Sequence, residues 1–141
     1  MYKILLADDE GIVIESLKIL IEKELGSNCE IRYAKTGRSV IELAETFRPD
    51  IAFMDIHMPG INGIEAMKEI RKANSSIIFI VMTAYDKFDY AREAINLKVL
   101  DYLNKPADKE KILDVLNRAI SIIDEERRKR SEDLLIREKM E

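Results

Sequence analysis

A chain of 141 residues fits one domain and is long enough to bury a core. Its 47% apolar and 35% charged residues suit a globular protein, and a net charge of −4 argues against a basic nucleic-acid-binding surface in this piece. One cysteine, Cys29, excludes an internal disulfide and a cysteine-rich metal site, no apolar run approaches the ~18 residues of a membrane span, and MYKILLADDE is not a signal peptide, so a cytoplasmic protein is expected.

Lys3–Ala7 is a short apolar run that suits a strand covered on both faces. It stops at Asp8, Asp9 and Glu10. From Gly11 the period becomes helical, with Val13, Leu17, Leu20, Ile21 and Leu25 inward and Gly26 as the stop. Glu30–Ala34 alternates polar and apolar, as an edge strand would. Thr36 is a cap for a helix whose inner face is Val40, Leu43, Ala44 and Phe47. Ile51–Met54 is a buried strand that delivers Asp55 to the rim of a sheet. Pro59-Gly60 turns the chain, and Asn62-Gly63 leads into a helix with Ile64, Met67 and Ile70 on one side. Ile77–Met82 is the best candidate for a central strand, closed by Thr83 and Ala84. A weaker helix spans about Asp86 to Leu97, with Phe88, Ala91 and Ile95 inward. Val99–Leu103 contains Asp101 and reads as a second edge strand. After Lys105-Pro106, Asp108 caps a last helix carrying Ile112, Leu116, Ala119, Ile120 and Ile123.

Five strands alternating with five helices predict an α/β, doubly wound parallel sheet, because parallel strands need crossover connections. Polar edges and apolar centre match the order 2-1-3-4-5 of flavodoxin-like folds. Residues 1–123 form the domain. Residues 124–141 read as a charged helical linker continuing the last helix, with acid-first pairs Asp124–Arg128, Glu125–Lys129, Glu126–Arg130 and Asp133–Arg137. Leu134, Leu135 and Ile136 are its apolar cluster. A fraying linker and a coiled coil are the alternatives.

Ligands of open α/β sheets bind at the carboxyl ends of the strands. The residues just past the apolar runs are Asp8 and Asp9, Asp55, Thr83 and Lys105. Taken singly, each has a plain reading: a turn aspartate, a capping hydroxyl, a surface lysine. Together, three carboxylates, a hydroxyl and an ammonium meet on one rim. Carboxylates so close raise one another's pKa unless a cation joins them, and a few hard oxygens suit Mg²⁺ with a phosphate. Lys105 would meet a phosphate oxygen, Thr83 would donate to one, and a carboxylate there can attack a phosphoryl donor. His57 reads as a loop residue whose backbone carbonyl matters more than its ring.

At these residues the chain resembles the receiver domain of bacterial two-component response regulators. The matching pieces are ILLADDE at Ile4–Glu10, DIAFMDIHMPGINGIEAMKEIR at Asp50–Arg71, IIFIVMTAYD at Ile77–Asp86 and DYLNKPADKEKIL at Asp101–Leu113. The resemblance implies a signalling switch, catalysing only its own phosphoryl transfer and dephosphorylation, with Asp55 as phosphoacceptor. It implies Mg²⁺ on Asp8, Asp9, Asp55 and the His57 carbonyl, and Lys105 on the phosphoryl group with its bond to Pro106 cis in many relatives. Thr83 and Tyr102 form the switch pair. His57 and Tyr85 flank the site and would shield the aspartyl phosphate from water.

The stretch TAYDKFDYAREAINLKVLDYLNKP is similar to receivers that precede AraC-type helix-turn-helix output domains, and no such output domain is present in this chain. The implied partners are a sensor histidine kinase docking near the first helix and a second copy through the face of the fourth helix, fifth strand and last helix. Lys87, Arg92, Glu93, Asp101, Lys109 and Arg118 supply charges on that face. DNA would be reached only through an output domain, and no membrane is implied. A phosphatase using an aspartyl intermediate and an unphosphorylated scaffold are the rival readings.

Overall fold

The computed structural model describes residues 1–84 and 97–140. In order these are β1 (Tyr2–Ala7), α1 (Gly11–Leu25), β2 (Cys29–Ala34), α2 (Gly37–Phe47), β3 (Ile51–Asp55), α3 (Gly63–Ala73), β4 (Ile78–Thr83), β5 (Asp101–Asn104) and α4 (Lys109–Met140). The strands form one parallel sheet in the order β2-β1-β3-β4-β5, as the alternation of elements predicts. Tyr85 and the body of the helix expected over Asp86–Leu97, with Phe88, Ala91 and Ile95, lie outside the described residues, as do Lys87, Arg92 and Glu93. The last predicted helix is therefore α4 here.

Side chains of a strand alternate between its faces, and both faces of this sheet are buried. Leu5, Ala7, Ala52, Met54, Phe79 and Val81 pack on one side with Val40 and Ala44 of α2 and Ile64, Met67 and Ile70 of α3. Ile4, Leu6, Ile51, Phe53, Ile80, Met82 and Leu103 pack on the other with Ile14, Leu17 and Ile21 of α1 and Ile112, Val115, Leu116, Ala119 and Ile123 of α4. Burial of this kind contributes on the order of 25 cal/mol per Å² of apolar surface, which is why the near-continuous apolar runs become the central strands. The stripes predicted from period alone omit Ile14 and Val115, both deeply buried, while Val13 is only partly covered. A helix wedged against a sheet buries a wider arc than its most regular apolar row.

Local chemistry sets the element ends. Thr36 Oγ1 accepts from Ser39 N at 3.1 Å, the cap expected for α2. Asn62 and Glu65 form a reciprocal capping box at the start of α3. Gly26 ends α1 with φ +60°, a value that disfavours other residues. Two strands are displaced from expectation. β4 begins at Ile78, not Ile77, because the Ile77 carbonyl accepts from Arg71 Nη1 at 2.6 Å. β5 runs from Asp101 to Asn104, where it registers with Ile80–Thr83.

The α3–β4 connection is held by Arg71. Its guanidinium also donates to the carbonyls of Ser75 at 3.0 Å and Leu97 at 3.1 Å, and it lies 4.6 Å from the centroid of the Phe79 ring. Burial pulls its pKa below the ordinary arginine value, so those carbonyls and the ring compensate a desolvated charge. Lysine lacks the planar fork that spans several carbonyls. Arg71→Lys is expected to lower stability by about 1–3 kcal/mol, read from the midpoint of urea unfolding.

On the last helix Arg128 keeps an i,i+4 partner, but base-first, and its acid-first partner lies at i−3 in place of the expected Asp124. Arg128 bonds Glu125 and Glu132, and Asp124 takes the hydroxyl of Tyr2 instead of Arg128. The phenol of Tyr2, buried at the start of β1, competes for Asp124 better than a solvated guanidinium does. Likewise Asp101 and Arg118, two of the charges on the face read as a dimer surface, pair with each other within the chain, and Arg118 also reaches Asp114 at 3.1 Å. Among the described residues no helix is long and apolar enough to cross a membrane.

Candidate functional site

The carboxyl ends of β1, β3 and β5 deliver charged groups to one point. Continuing the alternation past each strand puts Asp8 on the face of Ile4 and Leu6, Asp55 on that of Ile51 and Phe53, and Lys105 on that of Leu103, all on the α1–α4 side. The side chains meet there. Lys105 Nζ lies 2.6 Å from Asp8 Oδ2, 3.4 Å from Asp55 Oδ2 and 3.6 Å from Glu10 Oε1. Asp8 and Asp55 are buried, at 3% and 4% exposure. The Lys105 main chain is fixed too: its N–H donates to the Thr83 carbonyl at 2.7 Å, and its bond to Pro106 is cis.

Thr83 and Tyr102 follow the opposite alternation. Tyr102 registers with Val81, which shares its face with Thr83, so both belong to the α2–α3 side. Thr83 is fully buried at the end of β4, and Tyr102 is half-buried in edge strand β5. Thus the expected acid and lysine groups gather on one side of the sheet end, and the expected switch pair stands on the other.

The β3–α3 loop closes over Asp55. His57 N donates to Asp55 Oδ1 at 3.4 Å, and Gly63 N donates to the Ile56 carbonyl at 2.8 Å. A Cβ on Gly63 would stand 2.0 Å from the Asp55 carbonyl oxygen, and one on Gly37 would stand 2.0 Å from that of Ile61. Both contacts are with backbone, which cannot swing aside, so glycine is required for the loop to reach its position. In the sequence Gly63 is only a helix start, and no local signal announces this contact.

Asp8, Asp9 and Glu10 bring one carboxylate oxygen each to within 4.8 Å of one another. Asp8 Oδ1 also accepts from Glu10 N at 2.9 Å, which folds the three acids together. In the sequence Glu10 only ends the first strand, and the signal for its part here is its place directly after two acids. This donor set is all hard oxygen, and it adjoins a fourth carboxylate. It fits a small divalent cation such as Mg²⁺, which takes one or two carboxylates and keeps water on its other positions.

Electrostatics follow from three carboxylates, Asp8, Glu10 and Asp55, around one ammonium. Burial, then the charge of Asp8, pushes Asp55 from an ordinary 3.8 up to about 6, against the opposing pull of Lys105 and the His57 N–H. At neutral pH it is still largely ionised, and poorly neutralised. Burial works to lower the Lys105 ammonium. Its hydrogen bond to Asp8 and the charges of Asp55, Asp8 and Glu10 outweigh that and hold it above the ordinary lysine value. Carboxylates outnumber the base, so the site favours an incoming cation, and with one bound the anchored ammonium would be available to the oxygens of a phosphoryl group.

The response regulator receiver domain model matches residues 4–117. The chain is 36% identical over 121 residues to the uncharacterized transcriptional regulatory protein YesN of Bacillus subtilis, covering 86% of this chain and 33% of that protein. It is 37% identical over 117 residues to the sensory transduction protein LytT of Oceanobacillus iheyensis, covering 82% of this chain and 46% of that protein. The chain spans less than half the length of these curated relatives. The solved REC domain of AraT, a response regulator from Geobacillus stearothermophilus, superposes with a TM-score of 0.82 at 38% identity, over 89% of this chain and 98% of that one.

Asp55 has a testable cost. Between about pH 4 and pH 6 the folded chain keeps a proton on Asp55 that the unfolded chain releases, so stability falls as pH rises through this window and stays lower above it. Asp55→Asn removes that penalty. In chelator, the variant is expected to exceed the parent in stability by on the order of 1–3 kcal/mol near pH 8, with the gain gone near pH 4. Urea unfolding at the two pH values measures it.

Proposed function

Because the chain belongs to the response regulator receiver domain family, we propose that it is a phosphorylation-activated receiver in which Asp55 accepts a phosphoryl group from a sensor histidine kinase. The observation that carries this reading is the ammonium of Lys105 held between buried Asp8 and Asp55 at the ends of three strands. The Asp55 carboxylate attacks phosphorus in line with the departing imidazole. The P–N bond breaks as the P–O bond forms, giving an acyl phosphate. Lys105 is already 3.4 Å from the Asp55 oxygen and turns from it to the arriving phosphoryl oxygens. Asp8 and Asp9, with Asp55 and the His57 carbonyl, would hold Mg²⁺, and Glu10 stands beside them. When bound, Mg²⁺ supplies positive charge to the phosphoryl oxygens.

In this reading, Thr83 moves to the phosphoryl group and Tyr102 follows it inward, so occupancy on one side of the sheet biases an existing equilibrium on the other. A groove of about 820 Å³ beside the site, along Ile12, Val13, Ser16 and Leu20 of α1 and Pro106, offers the kinase an apolar approach. Residues 1–123 are the receiver, and 124–141 are the charged helix that leads from it. Homodimerisation through the fourth predicted helix, β5 and α4, and a cytoplasmic location, belong to the same proposal. By analogy with YesN, named as a transcriptional regulatory protein, the output is control of transcription through a segment other than this one.

Incubation with acetyl phosphate and Mg²⁺, followed by intact-mass measurement, is expected to show a single phosphoryl adduct that Asp55→Asn abolishes. An unmodified parent chain with Mg²⁺ present would overturn the assignment. Asp9→Asn is expected to weaken Mg²⁺ binding about tenfold or more and to slow adduct formation, and an unchanged Mg²⁺ titration would remove Asp9 from the ligand set.

A further inference from the structure

At the opposite end of the sheet a second cluster joins elements far apart in sequence. Tyr2 is buried at the start of β1, and its hydroxyl donates to Asp124 Oδ1 of α4 at 2.5 Å. One turn further along, the Arg127 guanidinium lies 5.2 Å from the centroid of the Tyr2 ring. It donates to Asp50 Oδ2 and to the Met1 carbonyl, each at 3.3 Å. Asp50 is itself a hub. Its Oδ2 accepts from Lys3 N at 2.8 Å, its N–H donates to the Lys3 carbonyl at 2.8 Å, and its carbonyl accepts from Ile78 N at 3.0 Å. One aspartate therefore ties together the starts of β1, β3 and β4 and reaches out to the helix.

Ile123 is the last buried residue of α4. Beyond it the helix continues to Met140 with only exposed residues. A helical segment of this length is marginal alone, because its first turn is costly to form and each later residue adds only one hydrogen bond. The cluster falls on the first turn past the core. It fixes Asp124 and Arg127 against the starts of β1 and β3, so the exposed part propagates from a turn that is already set.

We propose that Tyr2, Asp50, Asp124 and Arg127 form a clasp that fastens α4 to the base of the sheet and makes its exposed end a rigid arm of fixed direction. The arm extends about 20 Å beyond Arg127, so a tilt of about 10° at the clasp displaces its tip by about 3 Å. Asp50 immediately precedes β3, the strand that ends in Asp55, and the clasp is therefore built on the strand that carries the candidate phosphoacceptor. Use of the arm as an output rests on the receiver reading; the clasp and the rigidity it gives do not.

The test is a pair of spin labels at Lys72 and Glu138 in a Cys29→Ser background of the full chain, with the distance distribution read by pulsed dipolar spectroscopy. The unsubstituted clasp is expected to give one narrow distribution. Arg127→Ala is expected to broaden it at least about twofold and to speed amide exchange over residues 128–136 about tenfold, with β3 exchange unchanged. Tyr2→Phe keeps the ring and removes the bond to Asp124. It is expected to broaden the distribution less, and it decides the matter should Arg127→Ala fail to fold. A broad distribution with the clasp intact, or an unchanged one in both variants, would overturn the proposal. Phosphoryl uptake from acetyl phosphate in Tyr2→Phe is expected to equal the parent's, and failure of uptake in both chains alike would tell against the receiver reading and not against the clasp.

Discussion

The ion pairs of Lys105 with Asp8 and Asp55 are the constraint on which the site depends. Two unit charges about 4 Å apart attract by about 4 kcal/mol at an effective dielectric of 20, enough to offset much of the cost of burying an ammonium. The lysine therefore stays charged in a nearly enclosed position, and it holds the ends of β1, β3 and β5 together from the β5–α4 connection. It does so incompletely. Three acids face one base, and Asp55, its pKa raised first by burial and then by the charge of Asp8, is left poorly neutralised. The geometry is stable enough to persist and strained enough, electrostatically, to favour an incoming cation.

Much of this was legible in the sequence because it depends on strand ends. Apolar runs fix the strands, polar ones fall at the edges, and whatever follows each run is carried to the rim. Asp8, Asp55 and Lys105 converge for that reason although they lie far apart in the chain. Thr36 was readable as a cap because capping is local. What escaped was set by contacts between distant backbones or by long side chains with several partners. Gly37 and Gly63 look like ordinary helix starts until the β3–α3 loop is laid against them. Arg71 reads as a helix-terminal base, yet it binds three carbonyls and stacks on Phe79. Asp124 was assigned to its helical neighbour because Tyr2 is 122 residues away.

The two ends of the sheet divide the labour. At the carboxyl end, charged groups are buried with too little compensation. At the amino end, Asp50, Tyr2, Asp124 and Arg127 satisfy one another and the backbone. The first arrangement leaves room for chemistry; the second fastens the helix that runs past it. Both are reached by the five residues of β3, whose side chains are all buried and whose position is therefore tightly held by both cores.

The alternation of side chains across the sheet has a further consequence. Asp8, Asp55 and Lys105 issue on the α1–α4 side, whereas Thr83 and Tyr102 belong to the α2–α3 side. Under the proposed assignment the group that loads the site approaches along α1, the Thr83 and Tyr102 pair that senses the load stands across the sheet, and α4, on the loading side, carries the effect outward. The two surfaces share only the rim where the strands end. Substitutions in the core beneath α1 therefore also touch the packing of α4, whereas those beneath α2 and α3 meet the sensing pair alone.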